Sequence, residues 1–432
     1  MKIQLKIHSL LLAIPATLIF TQMAVISSSF GFTPVEKYDK KAILADTATL
    51  NYLQIPVLTQ SEATGVAAAL ITPEQEVQIV EFSHSQHKCG GFEDLRISSD
   101  LVTQPAFVKS KGLEIAQAEL KKLEQQNKRE ISYLKGPYKT FSLVKKDEIE
   151  KAVAQISSAN IQTWVNWLST YPNRYNKSKS PNGHVDALEL KVKNSLAGVE
   201  FPFKVEQIAH KSTAQKSLKL SFTGKTRPQE IVVLGGHLDS ISNDWGNKEK
   251  APGADDNASG SASLLEAVRV FVTHGQPERT VEFFWYAGEE SGLLGSAEIA
   301  QNYKANNKNV VAVLQLDMTL YPGAGFKTIG SITDNTSGWL RDYFNEINKN
   351  YLHVNIVDDE CGYGCSDHAS WYKQGYPTLL PFEATMQTMN DDIHTAKDIV
   401  NSSMNFDHSA VFSQTAVIFA LELGNSDLKQ PY

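Results

Sequence analysis

Short apolar runs alternate with amphipathic stretches through the last two thirds of the chain, and the two kinds of stretch have different periods. Residues 230–235, 281–287 and 310–318 are dense in Val, Ile, Leu, Phe and Trp, the pattern of strands covered on both faces. Residues 158–168, 184–196 and 259–273 repeat apolar positions at helical spacing, and in the last of them Leu264, Leu265, Val268 and Val272 fall on one face. Strands alternating with helices predict an α/β fold, with a mixed, largely parallel central sheet and helices on both faces. The chain ahead of this region reads differently. Residues 78–82 are short and apolar enough for a strand. Residues 112–130 carry Leu113, Ile115, Ala118, Leu120 and Leu123 as one buried stripe of a long helix whose Lys/Glu face is solvated. A smaller α+β segment over 30–145 is therefore expected before a main domain over 146–432. SPNGH near residue 180 and GKTRPQE at 224–230 read as turns.

The first 29 residues have the order of a secretory signal. Lys2 and Lys6 precede an apolar run over 10–20, and small residues follow at Ala24 and 27–29. That run falls short of the roughly 20 apolar residues a membrane span needs, and Thr21 and Gln22 interrupt it further. Export predicts an extracellular or periplasmic location and an oxidising environment for the three cysteines, Cys89, Cys361 and Cys365. In CGYGCSDH, Gly362 and Gly364 allow a fold tight enough to join Cys361 to Cys365 in a short-loop disulfide. The alternative, a zinc knuckle, lacks a second cysteine pair. Cys89, in HKCGGFED, reads as a buried free thiol. The composition, 42% hydrophobic and 21% charged, is that of a globular protein. A net charge of −7 without a basic stripe excludes a nucleic-acid partner.

Five residues at the ends of these runs carry the chemistry: His237 in GGHLDS, Asp256 in PGADDNASG, Glu290 in AGEESGLLGS, Asp317 in LQLDM and His394 in DDIHTAKD. Ligands of an open α/β sheet gather beyond the carboxyl ends of its strands, so one sheet edge could receive them all. The glycines of GGH are expected to turn the chain sharply, with Asp239 holding the second ring nitrogen of His237. Asp255 and Asp256 share a loop entering a helix; helix capping is the bland reading, yet capping does not require two consecutive acids. Asp256 is taken as a ligand and Asp255 is unassigned. Glu289 and Glu290 point differently at a strand end, so one can bind metal while the other takes a proton from water. A solvated acidic turn is the alternative for an isolated pair. Asp317 closes a strand where a lone charge would be costly. Asp391, Asp392 and Asp398 lie near enough to His394 in sequence to support it.

Taken together, GGHLDS, PGADDNASG, AGEESGLLGS, LQLDM, CGYGCSDHASW and DDIHT resemble the secreted bacterial leucyl aminopeptidases of the co-catalytic di-zinc aminopeptidase family, over about residues 150–425. The resemblance implies two Zn2+ per chain, one held by His237 and Asp317, the other by Glu290 and His394, with Asp256 bridging. It implies Glu289 as general base, Asp239 as a supporting carboxylate, and a Cys361–Cys365 disulfide beside a substrate pocket formed by Tyr363, Phe382, Met386 and Ile393. The activity implied is release of an apolar, leucine-like residue from peptides with a free amino terminus by a monomeric enzyme, with 30–145 as a propeptide. Competing readings are a carboxypeptidase or a glutaminyl cyclase on the same scaffold, or a receptor-like ectodomain without catalysis. Retention of all five ligand positions disfavours the last.

Overall fold

A computed structural model describes residues 40–86, 91–95, 105–135, 141–144, 146–243, 249–428 and 430–431. The signal-like stretch and Cys89 lie outside these residues. The first part of the described chain, β1 (Lys41–Asp46), α1 (Thr47–Tyr52), β2 (Val57–Ser61), β3 (Val66–Ile71), α2 (Pro73–Ser85), β4 (Phe92–Asp94) and α3 (Pro105–Leu134), is an α+β unit. Its antiparallel sheet has the order β2-β3-β1-β4.

Two expectations need correction here. The 78–82 stretch lies inside α2 and is no strand. Thr72 and Gln75 form a reciprocal cap, the Gln75 amide donating to the Thr72 hydroxyl at 3.3 Å and the Thr72 amide to Gln75 Oε1 at 3.0 Å. With Pro73 at the first helical position, this starts a helix whose buried residues Ile79, Val80 and Ser83 share a face. In α3 the buried stripe is Ala116, Leu120 and Leu123, while Ala118 is exposed.

The larger part follows as α4 (Lys146–Val153), α5 (Ser158–Leu168), α6 (Gly183–Ser195), β5 (Phe203–Ile208), β6 (Ser217–Phe222), β7 (Arg227–His237), α7 (Gly260–Phe271), β8 (Arg279–Tyr286), α8 (Leu294–Ala305) and β9 (Asn309–Gln315). It ends with β10 (Thr328–Ile332), α9 (Gly338–Ile347), β11 (Asn355–Asp359), α10 (His368–Lys373), β12 (Thr378–Leu379), β13 (Pro381–Phe382) and α11 (Phe406–Asn425). The turn expected at 224–230 is shorter, because β7 begins at Arg227 and absorbs Pro228 at its edge through a register shift before Ile231.

The central sheet has the order β12-β9-β7-β8-β6-β5. Its first four strands are parallel and the last two antiparallel, which is the mixed, largely parallel sheet expected. Alternate residues of the buried strands feed two cores. Val232, Leu234, Phe283 and Trp285 pack with α5, α6, α7 and α11 on one face. Ile231, Val233, Phe284 and Tyr286 pack with Ile299 and Tyr303 of α8 and with Trp371 of α10 on the other. Because β7 leads to β8 on one side and β9 returns on the other, the chain reverses direction at β7. A crevice at the carboxyl ends of β7 and β9 follows from that reversal. A second sheet, β11-β10-β13, lies beyond it.

One buried histidine gives the fold a pH dependence. His184 of α6 is 1% exposed, and its Nε2 accepts from Gln215 Nε2 at 3.0 Å, so it must be unprotonated there. Burial, with Arg174 adding to it, lowers its pKa to about 3. The unfolded chain would take up this proton near pH 6.5. Stability is therefore complete above that pH and is lost as pH falls toward the folded value. Replacing His184 by Gln should flatten the decline of urea-unfolding stability between about pH 6.5 and about pH 4 by on the order of 1 kcal/mol per pH unit. An unaltered slope would contradict this account.

Candidate metal centre

The glycines before His237 do not turn the chain, as the sequence suggested. Gly235 and Gly236 are buried strand residues of β7. A Cβ on Gly235 would sit 2.3 Å from the Tyr286 ring, and one on Gly236 would sit 2.8 Å from the Leu316 carbonyl, so glycine is needed for close packing. At the end of this strand the buried His237 ring is fixed by its Nδ1, 3.1 Å from the Asp239 main-chain carbonyl. Its Nε2 lies 3.0 Å from Asp256 Oδ1 and 3.2 Å from Asp317 Oδ1. The Asp239 carboxylate is 3.5 Å from Nδ1. Its hydrogen bonds come from the amides of Glu289, at 3.0 Å, and Glu290, at 3.3 Å.

Asp256 sits on an irregular helical turn, Ala254–Ser259, entered through Gly253 at φ +53°. Its second oxygen, Oδ2, lies 2.7 Å from His394 Nε2. That nitrogen is also 2.9 Å from Glu290 Oε2. The five residues thus form two groups, His237/Asp256/Asp317 and Asp256/Glu290/His394, with possible ligand atoms of each lying within 4.8 Å of one another. Asp256 belongs to both. Asp255 points elsewhere, accepting from the Leu320 amide at 3.1 Å and from the Asn390 side chain at 3.1 Å, and it braces the loop. Of the acids near His394, Asp398 serves the Asp256 loop, accepting the amides of Asp255 at 2.9 Å and Asp256 at 3.0 Å. Asp392 accepts the Thr395 hydroxyl through its main-chain carbonyl.

The charges do not balance within the protein alone. Apart from His394, no described donor reaches the Glu290 carboxylate. Burial, with Asp256 beside it, raises the Glu290 pKa to about 7. Burial works against a charge on His394, but Glu290 and Asp256 outweigh it and raise its pKa to about 10. The same contest, won by Asp317, Asp239 and Asp256, puts His237 well above its ordinary value. The carboxylates around each imidazole therefore favour positive charge there. Two imidazoles and three carboxylates, all nitrogen or oxygen donors without thiolate, fit divalent zinc and also manganese or cobalt. Glu289 is buried and takes no part in either group, and burial, followed by Glu290, Asp317 and Asp367, holds its pKa well above the ordinary range.

Beside Asp317 lies a small apolar pocket walled by Ile332, Cys365, Leu380, Phe382 and Met386. Tyr363 and Ile393 pack in the apolar cluster that forms its surroundings. Tyr363 also lines a larger cavity of about 340 Å³, shared with Leu123 and Glu130 of α3. Cys361 and Cys365 are joined in a disulfide, with Cα atoms 6.4 Å apart. The next residue, Ser366, donates its hydroxyl to Asp317 Oδ2 and accepts from Gln315 Nε2 at 3.0 Å. Sequence reading missed Ser366, Gln315, Glu383 and Arg174. Adjacency to Cys365 could have drawn attention to Ser366; the others carry no local signal.

Known proteins resemble this chain in sequence and in fold. The model of Peptidase family M28 matches residues 218–417. Leucine aminopeptidase 1 of Trichophyton equinum is 37% identical over 290 residues, covering 64% of this chain and 77% of that protein. Leucine aminopeptidase 1 of Arthroderma gypseum is 36% identical over 290 residues, with the same coverage of 64% and 77%. Among solved structures, the LapA aminopeptidase of Legionella pneumophila superposes with a TM-score of 0.74 at 25% identity, covering 90% of this chain and 99% of that one. LapB of the same organism gives 0.73 at 25% identity, covering 90% and 100%. These sequence relatives are fungal, so the resemblance holds for the family and not for its bacterial members in particular. With the family model on the strands that carry the site, and with this identity over most of a relative's length, the chain belongs to peptidase family M28.

Proposed function

We propose that this protein is a secreted, zinc-dependent enzyme that removes an apolar, leucine-like residue from the free amino terminus of peptides. It is a metalloaminopeptidase, a hydrolase of peptide bonds. The observation that carries the reading is the sharing of Asp256 between two histidine and carboxylate groups. His237 and Asp317 would hold one zinc and Glu290 and His394 another, with Asp256 serving both groups. Zinc bound there supplies Lewis acidity toward the peptide carbonyl and toward water. Glu289, buried beside both groups without belonging to either, would accept the water's proton on its carboxylate and return it to the leaving amine. Asp239 fixes the backbone at Glu289 and Glu290 by accepting both of their amides. The first side chain of the substrate enters the pocket walled by Phe382 and Met386, with Tyr363 and Ile393 behind it.

Secretion rests on the charged, apolar and small-residue order of residues 1–29. Among the described residues no helix is long and apolar enough to cross a membrane. Residues 30–145 act as a propeptide on a peptidase domain over 146–432. Contacts of the α+β unit support this role. Phe92 and Asp94 abut Gly292, two residues beyond Glu290. Lys373 is 5% exposed, and its ammonium pairs with Glu93 at 2.6 Å and Glu119 at 3.5 Å. The Gly338 amide donates to Glu130 at 2.7 Å.

Replacing Glu289 by Gln should leave the zinc content unchanged by elemental analysis and lower kcat by on the order of 10²- to 10⁴-fold; full turnover in that variant would reject the assignment. Leucyl peptides with a free amino terminus should be cleaved while their N-acetylated forms are not, whereas a carboxypeptidase would cut both. Proteolytic removal of the segment up to about residue 145 should raise kcat/KM. Equal activity before and after would make the segment a passive extension.

A further inference from the structure

Between α5 and α6 the chain passes through residues 173–176, which the chemistry above does not use. Arg174 in this segment is 0% exposed. Among the described residues no carboxylate accepts a hydrogen bond from its guanidinium, although burial in a low-dielectric interior ordinarily demands such a partner. Its donors go to main-chain carbonyls: Nε to Leu238 at 2.9 Å, Nη1 to Leu168 at 3.3 Å and Pro252 at 2.5 Å, and Nη2 to Gly253 at 2.8 Å. Leu238 directly follows His237, and Pro252 and Gly253 lead into the turn that carries Asp256. A Cβ on Gly253 would lie 2.4 Å from the Asp256 carbonyl, 2.6 Å from Ser240 Cβ and 2.8 Å from Nη2, so the crowding at this turn requires that glycine.

The rest of the segment extends the same pattern. The Arg174 amide donates to Ser240 Oγ at 3.1 Å, and that hydroxyl donates to the Ala251 carbonyl at 2.7 Å. The Arg174 carbonyl accepts from Gln215 Nε2 at 2.9 Å, and Gln215 Oε1 accepts the Gly288 amide at 2.9 Å. Asn176 Oδ1 accepts the Ser291 hydroxyl at 2.9 Å. Arg174 and Asn176, the first partly through Gln215, therefore reach the loops that carry His237, Asp256 and the Glu289/Glu290 pair. A guanidinium is well suited to this, because its planar fork presents donors in several fixed directions. With its donors on carbonyls, it places a positive charge among Asp239, Asp256, Glu290 and Asp398 without occupying the lone pairs of Asp256 and Glu290.

We infer that Arg174 is a positioning residue: by fastening the His237 strand end to the Asp256 loop it sets the separation of the ligands, and so the metal affinity, without touching metal or substrate. The inference rests on the proposed zinc ligands. Arg174→Lys keeps the charge and loses the fork. It should weaken zinc binding, measured by competition with a chromophoric chelator on metal-stripped protein, by about 10- to 100-fold, and lower kcat while changing KM by less than about threefold. Arg279→Lys is the matched control. Arg279 is also 0% exposed and donates to the Leu423 and Leu428 carbonyls and to Glu230, but at the opposite end of β8. Its loss should lower Tm and leave zinc affinity unchanged. Ser240→Ala, a milder cut in the same set of bonds, should weaken zinc binding by about 2- to 10-fold and carries the test if Arg174→Lys does not fold. Parental zinc affinity in Arg174→Lys, or in Ser240→Ala where that variant carries the test, would overturn the inference, as would an equal loss in Arg279→Lys. Failure of the parent protein itself to bind zinc would overturn the ligand assignment and the inference with it.

Discussion

Buried negative charge is the constraint from which the rest of this structure follows. Asp239, Asp255, Asp256, Glu289, Glu290, Asp317, Asp367, Glu383 and Asp398 are each no more than 5% exposed, and all belong to one end of the central sheet. Carboxylates stripped of water repel one another and tend to take up protons unless donors or cations meet them. The protein meets them in distinct ways. Asp239 and Asp398 each accept a pair of consecutive main-chain amides. Burial raises Asp255, to about 6, and also Glu383, which Asp255 pushes up further. Asp256 is held well below its ordinary range because His394 and His237 overcome the effect of its burial. Glu290 is left with His394 alone, and there the demand for a further cation is greatest.

The sheet makes this crowding possible. Parallel pairing of β7 with β8 and β9 brings three strand ends to one level, and the reversal of chain direction at β7 keeps helices from covering the crevice. Each strand ends in chemistry: His237 closes β7, Glu289 and Glu290 follow β8, and Asp317 follows β9. Remote loops then supply His394, Asp398 and Glu383. The fold is thus a frame that lets main-chain amides be aimed at carboxylates from several directions.

Much of this was legible in the sequence. The apolar runs are continuous because their strands are covered on both faces, and the reactive residues stand where those runs stop, so the five candidate ligands and Glu289 could be singled out before any geometry was known. Other features were hidden for physical reasons. The 78–82 stretch carries apolar residues compatible with either period, and only the Thr72/Gln75 cap a few residues earlier decides for a helix. Gly235 and Gly236 look like a turn because glycine usually marks one; the Tyr286 ring and the Leu316 carbonyl that require them arrive from elsewhere in the chain. Arg174 and Glu383 act on main-chain groups far away in sequence, and such partnerships leave no spacing to read.

The short passage from β12 to β13 bears on how such an enzyme can change. Leu379 pairs with Leu314 in the central sheet, the Leu380 carbonyl accepts the Ile332 amide at 3.1 Å, and Pro381 pairs with Ser331 in the small sheet. Leu380 is also a wall of the apolar pocket. One stretch of backbone is therefore stitched on one side to the strand that leads to Asp317 and on the other to the sheet that shapes the cavity. Evolution can retailor this pocket by exchanging side chains at positions such as Phe382 and Met386, but an insertion or deletion in the backbone there would tug on Asp317 as well. The wall of this pocket can therefore change by side-chain exchange more readily than by a change in backbone length.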